Sequence, residues 1–271
     1  MKAHFVITIS LNESMQRQAE YLIRSIKGVG KCPDSFFTIM THEDLSFLNN
    51  NYLRKEAFLH NIQVVQYETN PNLRYPWSTF ARWDIEPKED LIIGLDSDIL
   101  ALRNLQPLLE ELTFKGGICG SGADAFTNFT IQDWKNLFNL ASVPFPEKTY
   151  RTPDSLISIG QEGAPYYINN GVVCLASKYL ENMKKITKDM IAIINENYHD
   201  DFYITQKANT LAAYICKEKY NMPLNLMSKD FNHLEVFYGP PDKNAFFYHY
   251  NVLRESNYFN YIKKTFYPKI L

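Results

Sequence analysis

Two aspartates one residue apart, Asp96 and Asp98, stand directly behind the run Leu91-Ile92-Ile93-Gly94-Leu95. The run is too short for a helix and is entered through Glu89 and Asp90, so it reads as a buried central strand of a parallel sheet. In open α/β sheets, ligands gather outside the carboxyl ends of the strands, where this pair falls. Two carboxylates this close repel unless a cation lies between them. Hard oxygen donors suit Mg2+ or Mn2+, which typically hold one or two carboxylates together with substrate phosphates. One reading is therefore a metal–diphosphate site. The other is an acidic turn, with Asp98 as the N-cap of a following helix.

Two further groups could join that chemistry. Tyr167-Ile168-Asn169-Asn170-Gly171-Val172-Val173 sets two amides and a glycine at the head of an apolar strand. Asparagine amides bind hydroxyl-rich ligands, and glycine admits close backbone approach, although Asn-Gly is also a plain turn signal. His249 follows the aromatic run Phe246-Phe247-Tyr248. An imidazole is an acceptable Mn2+ ligand beside carboxylates, and equally an ordinary buried histidine.

The elements that must position these groups alternate. A strand over residues 3–10, a helix near 15–26, a strand at 36–40, a helix near 45–59 and a strand at 62–67 predict a Rossmann-like half-sheet. A helix around 78–85 carries Arg82 into the aspartate strand. Beyond it the pattern gives a strand at 116–122, an amphipathic helix at 131–140 and a Pro-, Ser- and Gly-rich stretch, 142–163, long enough for a functional loop or lid. A strand at 166–176, helices near 179–197 and 202–214, and a terminal aromatic segment expected to pack on the sheet complete the chain. With no repeat or clear linker, the 271 residues read as a single domain, core about 3–250 with a tail at 251–271.

The net charge of −2 argues against a nucleic-acid partner. Cys32, Cys119, Cys174 and Cys216 are dispersed without metal-ligand spacing, which predicts buried free thiols in a reducing compartment and no zinc site. The N-terminal apolar run is too short for a signal peptide, and no stretch approaches the ~18–20 apolar residues of a membrane span. A cytoplasmic protein is the expectation, with peripheral membrane association left open.

In order, these pieces resemble the GT-A glycosyltransferases, and within them glycosyltransferase family 8 and its relatives. The resemblance has five anchors: Thr8-Ile9-Ser10-Leu11-Asn12 with the following helix, Phe80-Ala81-Arg82-Trp83, Leu95-Asp96-Ser97-Asp98-Ile99, Tyr167-Ile168-Asn169-Asn170-Gly171-Val172, and Thr205-Gln206-Lys207-Ala208-Asn209-Thr210-Leu211. It implies a mixed, mostly parallel α/β sheet flanked by helices, and a metal-dependent transferase moving a hexose-type sugar from a nucleoside-diphosphate-sugar, UDP-sugar by the family's habit, to a glycan, lipid or protein acceptor. It assigns Mn2+ (or Mg2+) to Asp96, Asp98 and His249. The nucleotide-sugar falls to Thr8, Arg82, Asp96, Ser97 and Asp98, and the sugar or acceptor side to Asn169, with Asp201 open to two readings: a catalytic acid on the acceptor side, or the N-terminal cap of the following helix. The chain departs from the family at His249-Tyr250-Asn251-Val252-Leu253-Arg254, where a glycine and a lysine are missing; Arg254 or Lys243 are the available cations. Thr205 replaces the family's aspartate, with Asp200 and Asp201 about one turn earlier. Three other readings compete: a nucleotidyltransferase of the same fold, a haloacid dehalogenase-type phosphatase and a catalytically silent nucleotide-sugar-binding scaffold. The first lacks its Gly-rich loop at Leu11-Asn12-Glu13-Ser14, and the second would place the acidic pair after the first strand.

Overall fold

A computed structural model describes residues 1–48, 61–68, 81–123, 129–152, 155–156, 163–198, 203–239, 241 and 243–250. Its frame is a seven-stranded sheet in the order β10-β6-β9-β4-β1-β2-β3. The strands are β1 (His4–Thr8), β2 (Phe36–Thr41), β3 (Ile62–Gln66), β4 (Leu91–Leu95), β6 (Ile118–Gly122), β9 (Ile168–Ala176) and β10 (Leu224–Leu226). β4, β1, β2 and β3 run parallel, as do β6 and β10, while β9 lies antiparallel between β4 and β6.

Side-chain alternation builds a core on each face, because successive strand residues point to opposite sides. Phe5, Ile7, Ile39, Leu91, Ile93 and Leu95 meet α1 (Glu13–Lys27) and α2 (Gln106–Lys115) through Leu22, Ile23, Ile26, Leu108 and Leu112. Val6, Met40, Ile92, Val173 and Leu175 meet α3 (Ile131–Leu140), α4 (Leu180–Asn197) and α5 (Ile204–Tyr220) through Trp134, Leu137, Met183, Ile191 and Leu211. Each such side chain, fully buried, contributes about 1.5–3 kcal/mol of apolar transfer. The helices start and stop on local chemistry. The Asn12 side chain accepts from Met15 N–H at 2.9 Å to cap α1. Thr130 and Asp133 form a reciprocal capping box at α3, and Asn221 ends α5 in the left-handed region at φ 52°.

The structure adds elements that the sequence reading did not contain. α2 fills the stretch between β4 and β6, with Pro107 in its first turn. Of the terminal aromatics, expected on the main sheet, only residues 246–250 are described, and those of 258–267 fall outside the described residues. Phe247 and Tyr248 lie in β12 (Phe247–His249), the middle strand of a second sheet in the order β11-β12-β5, with β5 (Ile99–Ala101) and β11 (Asn232–Leu234). Phe247 still reaches the main core and meets Phe231 edge to face at 6.3 Å. Within the expected lid, β7 (Tyr150–Thr152) pairs with β8 (Ser155–Leu156), and Tyr150 bridges Ala164. A 3-10 turn over Leu45–Phe47 opens the expected helix at 45–59, most of which falls outside the described residues; so do residues 78–80 of the Arg82 helix. The four cysteines are buried and free. Among the described residues, no helix is long and apolar enough to cross a membrane.

Candidate metal centre and its surroundings

The acidic pair sits where the sequence sets it, at the carboxyl end of β4, and does not cap a helix: β5 follows. β12 brings the histidine. Its antiparallel register on β5 places His249 opposite Ile99, and Tyr250 N–H donates to Asp98 O at 3.1 Å. His249 Nε2 consequently lies 3.2 Å from Asp98 Oδ1 and 4.0 Å from Asp96 Oδ2. One ligand atom from each of Asp96, Asp98 and His249 falls within 4.8 Å of the others. Burial alone would lower the His249 pKa, but the charges of Asp98 and then Asp96 outweigh it and hold it above the usual imidazole value. The pocket is therefore one that draws in positive charge.

Arg82 aims the first aspartate. Its fully buried guanidinium donates through Nη2 to Asp96 Oδ1 at 2.6 Å and through Nη1 to the Asn170 carbonyl. One rigid fork thus joins β4 to β9 and leaves Asp96 Oδ2 on the His249 side. Two glycines make room for this. A Cβ on Gly94 would lie 2.5 Å from Arg82 Cδ, so the missing side chain is the slot that the arginine fills. A Cβ on Gly171 would lie 2.5 Å from His249 Nδ1 and 2.8 Å from Asn169 Oδ1. Asp96 N–H donates to the carbonyl of the same Gly171 at 3.0 Å, which fixes the acidic turn to β9.

The other expected residues fall as follows. Thr8 ends β1; Ile7 is opposite Leu95, which brings Thr8 level with Asp96 on the neighbouring strand. Its hydroxyl is buried with no partner among the described residues. Ser97 ties the turn to α1, its hydroxyl donating to Gln18 Oε1 at 3.0 Å. The Asn169 Oδ1 accepts from Gly171 N–H at 2.7 Å and from Asn232 Nδ2 at 3.0 Å. Asp201 and Arg254 lie outside the described residues, whereas Tyr203 occupies the N-cap of α5 without a side-chain cap.

Several residues near these groups were not singled out from sequence. Asn209 accepts from Trp83 Nε1 and donates to Asn170, and Asn232 supports Asn169. Glu43 closes the turn after β1 by accepting from the Ser10 hydroxyl and, at 2.5 Å, from Leu11 N–H. At the tip of β3, burial, then the Glu43 charge, pushes Tyr67 up to about 12, so its phenol is neutral. None of these four stands out in sequence; Gly94, the slot for Arg82, does carry a signal, since a lone glycine inside an apolar strand marks close approach of another group.

No family model and no curated protein matches the sequence. Solved structures do match in fold. The galactosyltransferase LgtC, solved with donor and acceptor sugar analogues, superposes with a TM-score of 0.54 at 17% identity over 92% of this chain and 87% of its own. Mouse xyloside xylosyltransferase 1 gives 0.54 at 16% identity over 93% and 98%. The bifunctional glycosyltransferase WbbM gives 0.55 at 12% identity over 91% of this chain, which spans 45% of that protein. The architecture is the GT-A fold, in agreement with the expectation from the sequence motifs.

Proposed function

We propose that the chain is a metal-dependent glycosyltransferase that moves a hexose-type sugar from UDP-sugar to a hydroxyl of a glycan, lipid or protein acceptor. The observation that carries this reading is the convergence of Asp96, Asp98 and His249 at the carboxyl edge of β4 within a GT-A fold. The donor set fits a divalent cation. Two carboxylates and one imidazole converge, Arg82 and the β5–β12 register fix them, and the field of the pair raises the His249 pKa. Asp96, Asp98 and His249 would hold the ion, and the imidazole favours Mn2+ over Mg2+. When bound, the ion offsets the charge that develops on a departing nucleoside diphosphate.

The chain's own residues do the rest. In transfer, the sugar C1–O bond to the diphosphate breaks, the acceptor hydroxyl oxygen bonds to C1 while its proton passes to the departing diphosphate, and the sugar goes through an oxocarbenium-like state. Thr8, with its unpartnered buried hydroxyl at the end of β1, lies on the nucleoside side. Arg82 keeps Asp96 in place, and Asn169 lies toward the sugar and acceptor. Asp201, just ahead of α5, is assigned to the acceptor side.

The test is thermal unfolding with UDP-sugars, with and without Mn2+, on the wild type and Asp98→Ala, followed by a transfer and hydrolysis assay. Metal-dependent stabilisation by a UDP-sugar, lost in Asp98→Ala, is the expected result. Stabilisation that ignores both metal and substitution would overturn the reading.

A further inference from the structure

We infer that Trp83, Asn209 and Asn232 are positioning residues that fix the orientation of the Asn169 and Asn170 amides, as Asn170 N–H fixes that of Gln206, so that each turns its oxygen to a protein donor and keeps its amino group for the ligand. The identity of the ligand rests on the glycosyltransferase reading; the polarity of the amides does not.

Each lock begins at a group that can only donate. Trp83 Nε1–H lies 2.9 Å from the Asn209 side chain, and an indole nitrogen cannot accept, so the atom facing it is Oδ1. The Thr187 hydroxyl donates to the same oxygen at 3.1 Å. Asn209 must then present Nδ2 to Asn170 at 3.0 Å, and the receiving atom is Asn170 Oδ1. What remains of Asn170 is Nδ2, buried and without a partner among the described residues. The second lock starts from a backbone amide: Gly171 N–H reaches Asn169 at 2.7 Å, which identifies that atom as Oδ1, and Asn232 Nδ2 donates to it at 3.0 Å. The third starts from Asn170 N–H, which donates to Gln206 Oε1 at 3.1 Å. In all three amides the oxygen faces a protein donor, two of them in the case of Asn169 Oδ1. The usual ambiguity between amide oxygen and nitrogen is removed, because the fixed donors admit one orientation only.

The locked amides lie against the metal centre. The space above Gly171 Cα is shared by Asn169 Oδ1 and the His249 ring, and the Asn170 carbonyl accepts from the arginine that holds Asp96. Asn232 also shows a cost of this arrangement, since its own Oδ1 is left buried without a partner among the described residues. A buried polar atom left unsatisfied calls for an explanation, and orienting Asn169 supplies one. The amino groups that the locks turn away from the protein donors suit acceptor atoms of a ligand: phosphate oxygens, or the ring and hydroxyl oxygens of a sugar.

Asn209→Asp tests this without touching the ligand. The carboxylate accepts from Trp83 and also demands a donor from Asn170, so the Asn170 amide turns and presents Oδ1 to the site. Isothermal titration compares wild type and variant for Mn2+ alone, for UDP with Mn2+ and for UDP-glucose with Mn2+. The expected result is unchanged Mn2+ binding with about ten- to a hundredfold weaker nucleotide binding. Weakening for both nucleotides assigns the amides to the phosphates, and weakening for UDP-glucose alone assigns them to the sugar. Unchanged affinity for both overturns the inference. Side-chain amide NMR of the free proteins reads the polarity directly. The inference fails if, in the wild type, the Asn170 amino group is hydrogen-bonded to Asn209. If the wild type binds neither nucleotide, the glycosyltransferase reading fails while the NMR result still decides the locks. Should Asn209→Asp not fold, Trp83→Phe combined with Thr187→Val removes both donors to Asn209 Oδ1, and a nucleotide affinity equal to wild type would refute the lock.

Discussion

Replacing Gly171 with alanine would introduce one methyl group at the closest approach between β9 and β12. Its Cβ would lie 2.5 Å from His249 Nδ1, 2.7 Å from Cε1 and 2.8 Å from Asn169 Oδ1. Ordinary contact begins near 3.4 Å, so the imidazole would have to withdraw by roughly 0.9 Å, and overpacking of this kind costs about 1–3 kcal/mol. The ring cannot retreat without leaving Asp98 Oδ1, now 3.2 Å from Nε2. Displacing one of three metal donors should weaken Mn2+ binding by about 10- to 100-fold, the range seen when the supports of metal ligands are disturbed. Free Mn2+ measured by electron paramagnetic resonance gives the affinity, and urea unfolding gives the stability. Gly120→Ala is the control: its Cβ would press on Ile168 Cγ2 at 2.7 Å, an equally tight contact against an apolar side chain on the same strand. The control should lose stability and keep its Mn2+ affinity. Equal affinity in Gly171→Ala and wild type would refute the packing argument and the ligand role of His249 with it.

Arg82→Lys preserves the charge and loses the fork. A single ammonium cannot span both Asp96 and the Asn170 carbonyl, so nucleotide-dependent stabilisation should drop along with about 2–3 kcal/mol of stability; a variant unchanged in both would show that the fork is dispensable. His4, fully buried, donates from Nε2 to Thr38 Oγ1 at 2.7 Å and accepts from Lys88 N–H at 3.2 Å, and burial, then the Lys88 charge, lowers its pKa to about 4. The unfolded value is near 6.5, so the stability that the neutral ring supplies is complete above pH 6.5 and lost as pH falls toward 4. The loss amounts to about 3 kcal/mol at 1.36 kcal/mol per pKa unit. Urea midpoints across that window should fall more steeply for wild type than for His4→Gln, and parallel curves would refute it.

Much of the site was legible because its parts are short, strongly patterned and next to strong elements. The apolar run of β4 ending in Asp96 and Asp98, the Asn-Asn-Gly head of β9 and Arg82 before the acidic strand each stand where sequence placed them. His249 was identified as a ligand candidate, but the means of its delivery was not. β5, β11 and β12 are three residues each, too short to show a period, and they pair only because distant segments meet. α2 escaped notice because it is short and because Phe114, 92% exposed, sets a large apolar residue on the face opposite Leu108, Leu109 and Leu112, which blurs the pattern. Asn209 and Asn232 look like ordinary polar residues in sequence; their importance lies in hydrogen-bond direction, which only three dimensions reveal.

Among the described residues the main sheet takes its last strand at Leu226, whereas His249 arrives through β12, the middle strand of the three-stranded sheet, paired over three residues with each of β5 and β11. Architecture and ion affinity are therefore separable quantities in this chain. Two of the three proposed ion donors belong to a scaffold that stands without the third. Chelation should consequently leave the protein folded, unlike small zinc domains, whose binding energy is their folding energy. Unloading the proposed ion without unravelling the main sheet requires release of β12 from both β5 and β11, so ion exchange should follow local opening of the small sheet rather than the stability of the whole molecule.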